Sequence, residues 1–477
     1  MKKDYSKYFL PNIVQARKRQ QKSIVKRSAF NIPKVYQSLG KNRTFFVKTY
    51  GCQSNIRDTE TINGILINLG FTPSSSLEKA DLVILNTCAV RENAEKKVFG
   101  EIGFLKKMKI NNPHFLFGVC GCMPQEETVV NRIVSKIKHL DFVFGTHNIH
   151  MLPEILDQVI NHHKKVIQVF SKEGDVIEDL PVNRTSNIKA FVNIMQGCDK
   201  FCTYCIVPYT RGQIRSRTKE DIIKEVNDLI AKGYKEVTLL GQNVNSYGVD
   251  LYDDYRFWNL LTDVANTKIP RLRFVTSNPW NFNTKIVDVM KQHNNIMPYI
   301  HLPIQSGDET ILQNMNRKMK IKDYYKIIEY IRTNIPTCAI STDIIVGFPN
   351  ESAMQFENTI KMYNKIQFDN AYTFIYSPRS GTSAALIKDK IDITTKEKRL
   401  AQLNELVRKF AKKNNEQWIG KELIVLVEGY SKTNRNTLTG YSPEWKVVNF
   451  TGKAKVGDLV NVEITSVSRF SLNGEVI

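Results

Sequence analysis

Residues 195–205 read Met195-Gln196-Gly197-Cys198-Asp199-Lys200-Phe201-Cys202-Thr203-Tyr204-Cys205, placing three cysteines at x3 and x2 spacing. A single loop with that spacing can bring three thiolates onto one site. With 8 cysteines in 477 residues, chance gives such a pattern about 0.002 times per chain, so the spacing is specific. Three thiolates suit an iron–sulfur cluster, which normally takes four. A 4Fe-4S cluster held by Cys198, Cys202 and Cys205 therefore keeps one iron open to another ligand. A structural zinc site is the alternative, but such sites are closed by four ligands, and no second pair lies near enough in sequence.

The loop follows an apolar run at 191–195, the first of six such runs. The others lie at 236–240, 272–275, 299–304, 339–346 and 371–375, with helical patterns between them. The first helix is well marked: Thr218 as N-cap, Glu220 and Asp221 in its first turn, Gly233 as its stop. Six βα units predict a partial (β/α)6 barrel, whose active site sits at the strand carboxyl ends. Those ends are polar here: Gly241-Gln242-Asn243, Thr276-Ser277-Asn278-Pro279, Gln305-Ser306-Gly307, Gly347-Phe348-Pro349-Asn350-Glu351 and Ser377-Pro378-Arg379. Any one polar loop is ordinary. Together with the cysteine loop they point to a polar ligand bound against the cluster.

Upstream, apolar strands at 45–50, 81–87 and 115–119 are each followed by a cysteine: Cys52, Cys88 and Cys122. Helical patterns at 58–69 and 91–107 separate them, which predicts a parallel βαβ sheet of flavodoxin-like type. Ligands of such sheets bind beyond the strand carboxyl ends. One βα unit between successive cysteines would gather all three at one edge, as a second three-thiolate site. The alternative is a set of buried cysteines acting as small hydrophobes, the reading given to Cys120 and Cys338. A strand at 141–145 and a helix at 152–160 complete this domain, and a polar stretch at 171–189 reads as linker.

Downstream, a Lys- and Glu-rich helix at 395–417 ends at Gly420, and short β segments start at 422. They predict a small antiparallel β-barrel, either a nucleic-acid binder or a structural cap. The chain is thus α/β with a basic flexible arm at 1–42, a sheet domain at 43–161, a linker at 162–183, a barrel core at 184–414 and a β-barrel at 417–477.

Net charge is +21. Twelve Lys/Arg against one acid up to Arg43 give 12 − 1 = +11 of that excess. The arm is either a nucleic-acid contact or a solvated leader, while the excess over the body favours a polyanionic partner. The start of the chain lacks the apolar core of a signal peptide, and no apolar run is long enough to span a bilayer. A cytoplasmic location is expected, where cysteines are more often ligands than disulfides.

The Cys198/Cys202/Cys205 spacing with Tyr204 resembles the radical S-adenosylmethionine superfamily. With the strand-end cysteines and a TRAM-type barrel, the chain resembles the methylthiotransferases. The stretches 86–95, 144–147, 197–211 and 376–382 are most similar to the branch acting on N6-dimethylallyladenosine of tRNA. The resemblance runs from about Arg43 to the C-terminus and leaves out the arm. It implies methylthiolation of N6-dimethylallyladenosine at position 37 by a radical mechanism. Cys198, Cys202 and Cys205 would bind the 4Fe-4S cluster that cleaves S-adenosylmethionine, and Cys52, Cys88 and Cys122 an auxiliary 4Fe-4S cluster facing it across a domain boundary. It assigns Tyr204, Gln305, Ser306, Arg317 and Glu351 to cofactor binding. It further implies the anticodon stem-loop of tRNA as partner, an electron donor such as flavodoxin, no membrane, and a monomer. Two departures bear on cofactor details: Asn278 stands where the family usually has His, and Met319-Lys320 where it has Tyr-Thr. Competing readings are a sibling methylthiotransferase acting on threonylcarbamoyladenosine or a ribosomal protein, a two-cluster electron relay, and a zinc-stabilised RNA-binding protein. A relay would not need the polar strand ends.

Overall fold

Strands that are apolar on both faces can be buried only between two helical layers, and the N-terminal region builds such a sheet. In the computed structural model, which describes residues 26–89, 92–169, 176–432 and 434–477, six parallel strands run in the order β2-β1-β3-β4-β5-β6. They are β1 (Thr44–Tyr50), β2 (Thr72–Pro73), β3 (Leu82–Thr87), β4 (Leu116–Gly121), β5 (Phe142–Phe144) and β6 (Val166–Gln168). Leu82 and Ile84 face one layer, with Ile62, Ile65 and Leu66 of helix α1 (Gln53–Asn68). Val83 and Leu85 face the other, with Val98, Ile102 and Leu105 of helix α2 (Glu92–Asn111).

Two boundaries differ from the sequence reading. Residues 1–25 of the expected arm lie outside the described residues, but 26–42 are folded. Arg27–Ala29 pairs in parallel with Val176–Glu178, while Phe30, Ile32 and Tyr36 pack on the core that includes Leu39. The expected linker contains β6 and the Val176–Glu178 strand; three-residue edge strands are too short to show a period in sequence.

The six barrel strands form as expected, but in two parallel three-stranded sheets. Strands β7 (Lys189–Asn193), β8 (Glu236–Leu240) and β9 (Arg271–Phe274) make the order β9-β8-β7, and β10 (Tyr299–His301), β11 (Ala339–Val346) and β12 (Asn370–Ile375) the order β10-β11-β12. Thr218 caps the first helix, its hydroxyl accepting from the Asp221 amide at 3.3 Å. Cys338 lies just before β11 and is buried, as a packing residue would be. The C-terminal strands β13 (Glu422–Tyr430), β14 (Leu438–Tyr441), β15 (Val447–Thr451), β16 (Leu459–Val467) and β17 (Ser471–Val476) close a barrel. Its pairings are antiparallel except β15 with β17, which is parallel.

Packing divides the chain into two compact units. Of the described residues, the first holds those up to Thr185 with Met195–Arg217 and Pro378–Leu386; the second holds those of Ser186–Ile194, Thr218–Ser377 and Ile387–Ile477. The cysteine loop therefore packs with the N-terminal sheet, and both cysteine trios lie in one unit instead of on two sides of a boundary. The polar ends of β8 to β11 belong to the second unit with the C-terminal barrel.

Candidate metal centres

In the first unit, β1, β3 and β4 are adjacent and in register, Tyr50 opposite Thr87 and Thr87 opposite Gly121. The ladder runs one residue further, since the Cys88 amide donates to the Tyr50 carbonyl at 2.9 Å and the Cys122 amide to the Thr87 carbonyl at 2.8 Å. Cys52 is the N-cap of α1. Cys52, Cys88 and Cys122 therefore leave one sheet edge side by side. Asn55 locks the arrangement: its Oδ1 accepts from the Cys52 amide at 3.3 Å, and its Nδ2 donates to Asn86 Oδ1 at 3.2 Å and to the Thr87 carbonyl at 3.3 Å. Gly121 has φ +100, and a Cβ there would sit 2.4 Å from the Thr87 carbonyl oxygen, so the turn into Cys122 requires glycine.

A hydrogen bond from Cys88 and the nearby Arg211 charge hold the Cys52 thiol down at about 5, against its burial. Burial pushes the Cys122 thiol up, with Arg211 opposing it. Arg211 Nε donates to Cys122 Sγ at 3.2 Å, and its Nη2 pairs with Asp58 Oδ2 at 2.6 Å. By contrast, Cys120 points into the hydrophobic layer on one face of the sheet, as a packing residue.

The second trio sits on a short antiparallel pair, Met195–Gln196 against Arg215–Ser216. The Cys198 amide donates to the Gly212 carbonyl at 3.0 Å and the Cys205 amide to the Cys202 carbonyl at 2.9 Å. Burial pushes the Cys198 thiol up, and the neighbouring Cys205 and Cys202 charges add to the effect. Phe201 holds a positive φ of 45°, strain of the kind that surrounding structure must enforce. Its ring meets Tyr209 edge-on at 6.3 Å. Phe201, Ile206 and Tyr209 form one buried cluster with Ala89 and Cys122, which seats the loop beside the first trio. Thr146 Oγ1 donates to the Thr210 carbonyl at 2.7 Å, and the Ala384 amide donates to the Thr203 carbonyl at 2.9 Å.

All eight cysteines are free thiols. Among the described residues, no three His, Cys, Asp or Glu side chains are arranged around a single metal ion. A four-iron core separates its ligands, because each thiolate binds a different iron.

In the second unit, Gln305 and the β-branched Thr276 have φ of +80 and +73, strained positions at strand carboxyl ends. Ser277 Oγ and Asn245 Oδ1 are buried with no partner among the described residues, an arrangement that fits a polar ligand. Ser306 Oγ lies 3.3 Å from Thr359 Oγ1 and accepts from the Asp308 amide at 3.2 Å. Arg317 donates to the Pro303 carbonyl, with its guanidinium 4.9 Å from the centre of the Trp280 ring. The Glu351 carboxylate accepts from the Gly347 amide at 2.8 Å and pairs with Arg399 at 3.0 Å. These engaged side chains shape the strand-end loops. Asn278 joins two of them: its amide donates to Asn243 Oδ1 at 3.1 Å and its Oδ1 accepts from the Trp280 amide at 3.2 Å. Sequence reasoning singles out neither Arg211 nor Asp58; the polar run from Arg57 to Thr61, which α1 buries, is the available signal.

Residues 44–145 match the uncharacterized protein family UPF0004, 192–363 the radical SAM superfamily and 416–477 the TRAM domain. A tRNA-2-methylthio-N(6)-dimethylallyladenosine synthase of Malacoplasma penetrans is 59% identical, over 100% of this chain and 97% of that protein. The chain belongs to this synthase family. The Geobacillus kaustophilus synthase is 50% identical over 100% of this chain and 91% of that protein. Among solved structures, the radical S-adenosylmethionine methyltransferase TsrM of Kitasatospora setae shares the fold, with TM-score 0.54 and 11% identity, over 72% of this chain and 75% of that one. The cobalamin-dependent radical enzyme OxsB superposes with TM-score 0.51 and 11% identity, over 79% and 57% of the two chains. The three family-model matches fall in turn on the parallel sheet, on the core from β7 to β11 and on the closed barrel.

Proposed function

We propose that this chain methylthiolates N6-dimethylallyladenosine at position 37 of tRNA, giving the 2-methylthio nucleoside. It is a radical S-adenosylmethionine enzyme of the synthase family. The observation that carries the reading is the packing of both cysteine trios into one unit, with Cys122 and the loop residues Phe201, Ile206 and Tyr209 in one buried cluster. When bound, the two 4Fe-4S clusters and S-adenosylmethionine supply the radical chemistry, sulfur and methyl group that replacing an unactivated C–H bond needs, which no side-chain acid or base provides.

The chain's own residues hold and orient. Cys198, Cys202 and Cys205 would ligate one cluster and leave an iron open; Cys52, Cys88 and Cys122 would ligate the other, with Asn55 and Asn86 fixing their backbone. Tyr204, Gln305, Ser306, Arg317 and Glu351 are assigned to S-adenosylmethionine recognition. Glu351 acts there through Gly347 and Arg399, while Ser277 and Asn245 offer free polar atoms. The TRAM barrel and the net charge of +21 serve the tRNA backbone, and an anticodon stem-loop offers unstacked bases to the site. An external reductant such as flavodoxin, a monomeric state and a cytoplasmic setting complete the proposal. No helix among the described residues is long and apolar enough to cross a membrane.

Anaerobically purified protein should carry about eight irons per chain, as two four-iron clusters. The Cys198→Ala variant should lose S-adenosylmethionine cleavage and keep about four irons, those of the auxiliary cluster. Persistent cleavage in that variant would overturn the assignment of roles.

A further inference from the structure

Arg211 is a charged side chain that the two thiolate sets do not account for. It is 3% exposed, and Asp58, its partner, is 4% exposed. Nη2 lies 2.6 Å and Nη1 3.4 Å from the two Asp58 carboxylate oxygens, which leaves Nε to donate to Cys122 Sγ at 3.2 Å. The Arg211 carbonyl accepts from Arg215 Nη2 at 3.0 Å, and Thr210, the residue before, is tied to Thr146. The guanidinium is thus aimed from its backbone as well as from its head. It stands six residues beyond Cys205 on the segment that carries the second trio, while Asp58 stands six residues beyond Cys52 on α1. One ion pair therefore joins the helix started by a ligand of one trio to the segment carrying the other.

We propose that Arg211 is a positioning residue that sets the reduction potential of the Cys52/Cys88/Cys122 cluster through its hydrogen bond to Cys122, with Asp58 setting how much positive charge the cluster feels. The inference rests on the cluster assignment above. Hydrogen bonds to cluster sulfurs and nearby net charge both tune such potentials. A cation donating to a ligand sulfur withdraws electron density and favours the reduced, more negative cluster. A carboxylate on the far side of that cation offsets part of the effect. Removing the cation and removing the carboxylate should therefore move the potential in opposite directions, which a purely structural role would not do.

The test uses the full chain with Cys198, Cys202 and Cys205 changed to Ala, so that the auxiliary cluster is observed alone by anaerobic titration with EPR detection. About four irons per chain in that background supports the cluster assignment itself; their absence refutes that assignment, separately from the role of Arg211. Arg211→Gln should then lower the midpoint potential, Asp58→Asn should raise it, and Arg211→Lys should fall between Arg211→Gln and the parent. Equal potentials in parent and Arg211→Gln, or shifts of the same sign in Arg211→Gln and Asp58→Asn, overturn the proposal. If Arg211→Gln fails to hold iron, the Asp58→Asn protein decides: a raised potential supports the role and an unchanged one rejects it.

Discussion

Arg211 Nη2 lies 2.6 Å from Asp58 Oδ2 inside the N-terminal unit, and both side chains are buried. Removing one partner of a buried pair leaves the other charge uncompensated, at a cost of about 3–5 kcal/mol. Asp58→Ala should therefore open α1 (Gln53–Asn68) locally. Hydrogen exchange of the α1 amides is the readout, and protection equal to that of the parent protein contradicts it.

The cysteine loop depends on Gly197. Its φ is +82, and a Cβ would stand 1.8 Å from the Gln213 carbonyl oxygen, which is backbone and cannot step aside. Gly197→Ala should push the loop off its antiparallel partner and cost the chain one cluster, so that iron falls from about eight to about four per chain. Full iron loading with normal S-adenosylmethionine cleavage would show that the turn tolerates a side chain.

Glu236 holds two buried guanidiniums, with Arg271 Nε and Arg273 Nε each 2.9 Å from its Oε2. Those arginines donate to the carbonyls of Tyr441, Ser442 and Pro443 in the β-barrel. Burial, with Arg273 adding to it against the Glu236 charge, already brings Arg271 down to about 10. Glu236→Ala leaves two like charges facing each other and should destabilise the attachment of the barrel by about 3–5 kcal/mol. Limited proteolysis near 441–446 should accelerate and tRNA affinity should fall. Unchanged cleavage and unchanged affinity would mean the barrel is held by other contacts.

A pH effect follows from Glu351. Burial raises its carboxyl above the ordinary 4.5, despite the Gly347 amide and Arg399. The folded state then binds that proton more tightly than the unfolded state. Its contribution is complete below 4.5 and is lost as pH rises through the raised value. Glu351→Gln should flatten this decline. All 4 tryptophans lie in the second unit, so their fluorescence reports its thermal midpoint at each pH. Parallel profiles for the two proteins would assign the decline to other groups.

Much of this was readable in the sequence because it rests on local pattern. Strand and cysteine recur three times up to residue 122 with a helix in each interval, and that repeat places Cys52, Cys88 and Cys122 at one edge through sheet register alone. The six barrel strands and the Thr218 cap were visible for the same reason. What was hidden depends on contacts far apart in sequence. Asp58 and Arg211 are 153 residues apart, and neither has a local signature beyond sitting in a polar run that turned out to be buried. The three-residue strands Arg27–Ala29 and Val166–Gln168 are too short for a period, so in sequence they look like arm and linker. The packing of the cysteine loop with the N-terminal sheet is hidden as well, because the polar stretch at 171–189 marks a boundary in sequence while Phe201 and Tyr209 bury their rings with Ala89 and Cys122.

The most direct measurement is mass spectrometry of nucleosides from tRNA carrying N6-dimethylallyladenosine. The tRNA is incubated anaerobically with the iron-loaded chain, S-adenosylmethionine and a reductant. The expected result is conversion to the 2-methylthio nucleoside at position 37, lost in both Cys198→Ala and Cys122→Ala. Unmodified N6-dimethylallyladenosine after incubation with fully loaded protein, or product formed only from threonylcarbamoyladenosine, contradicts the account.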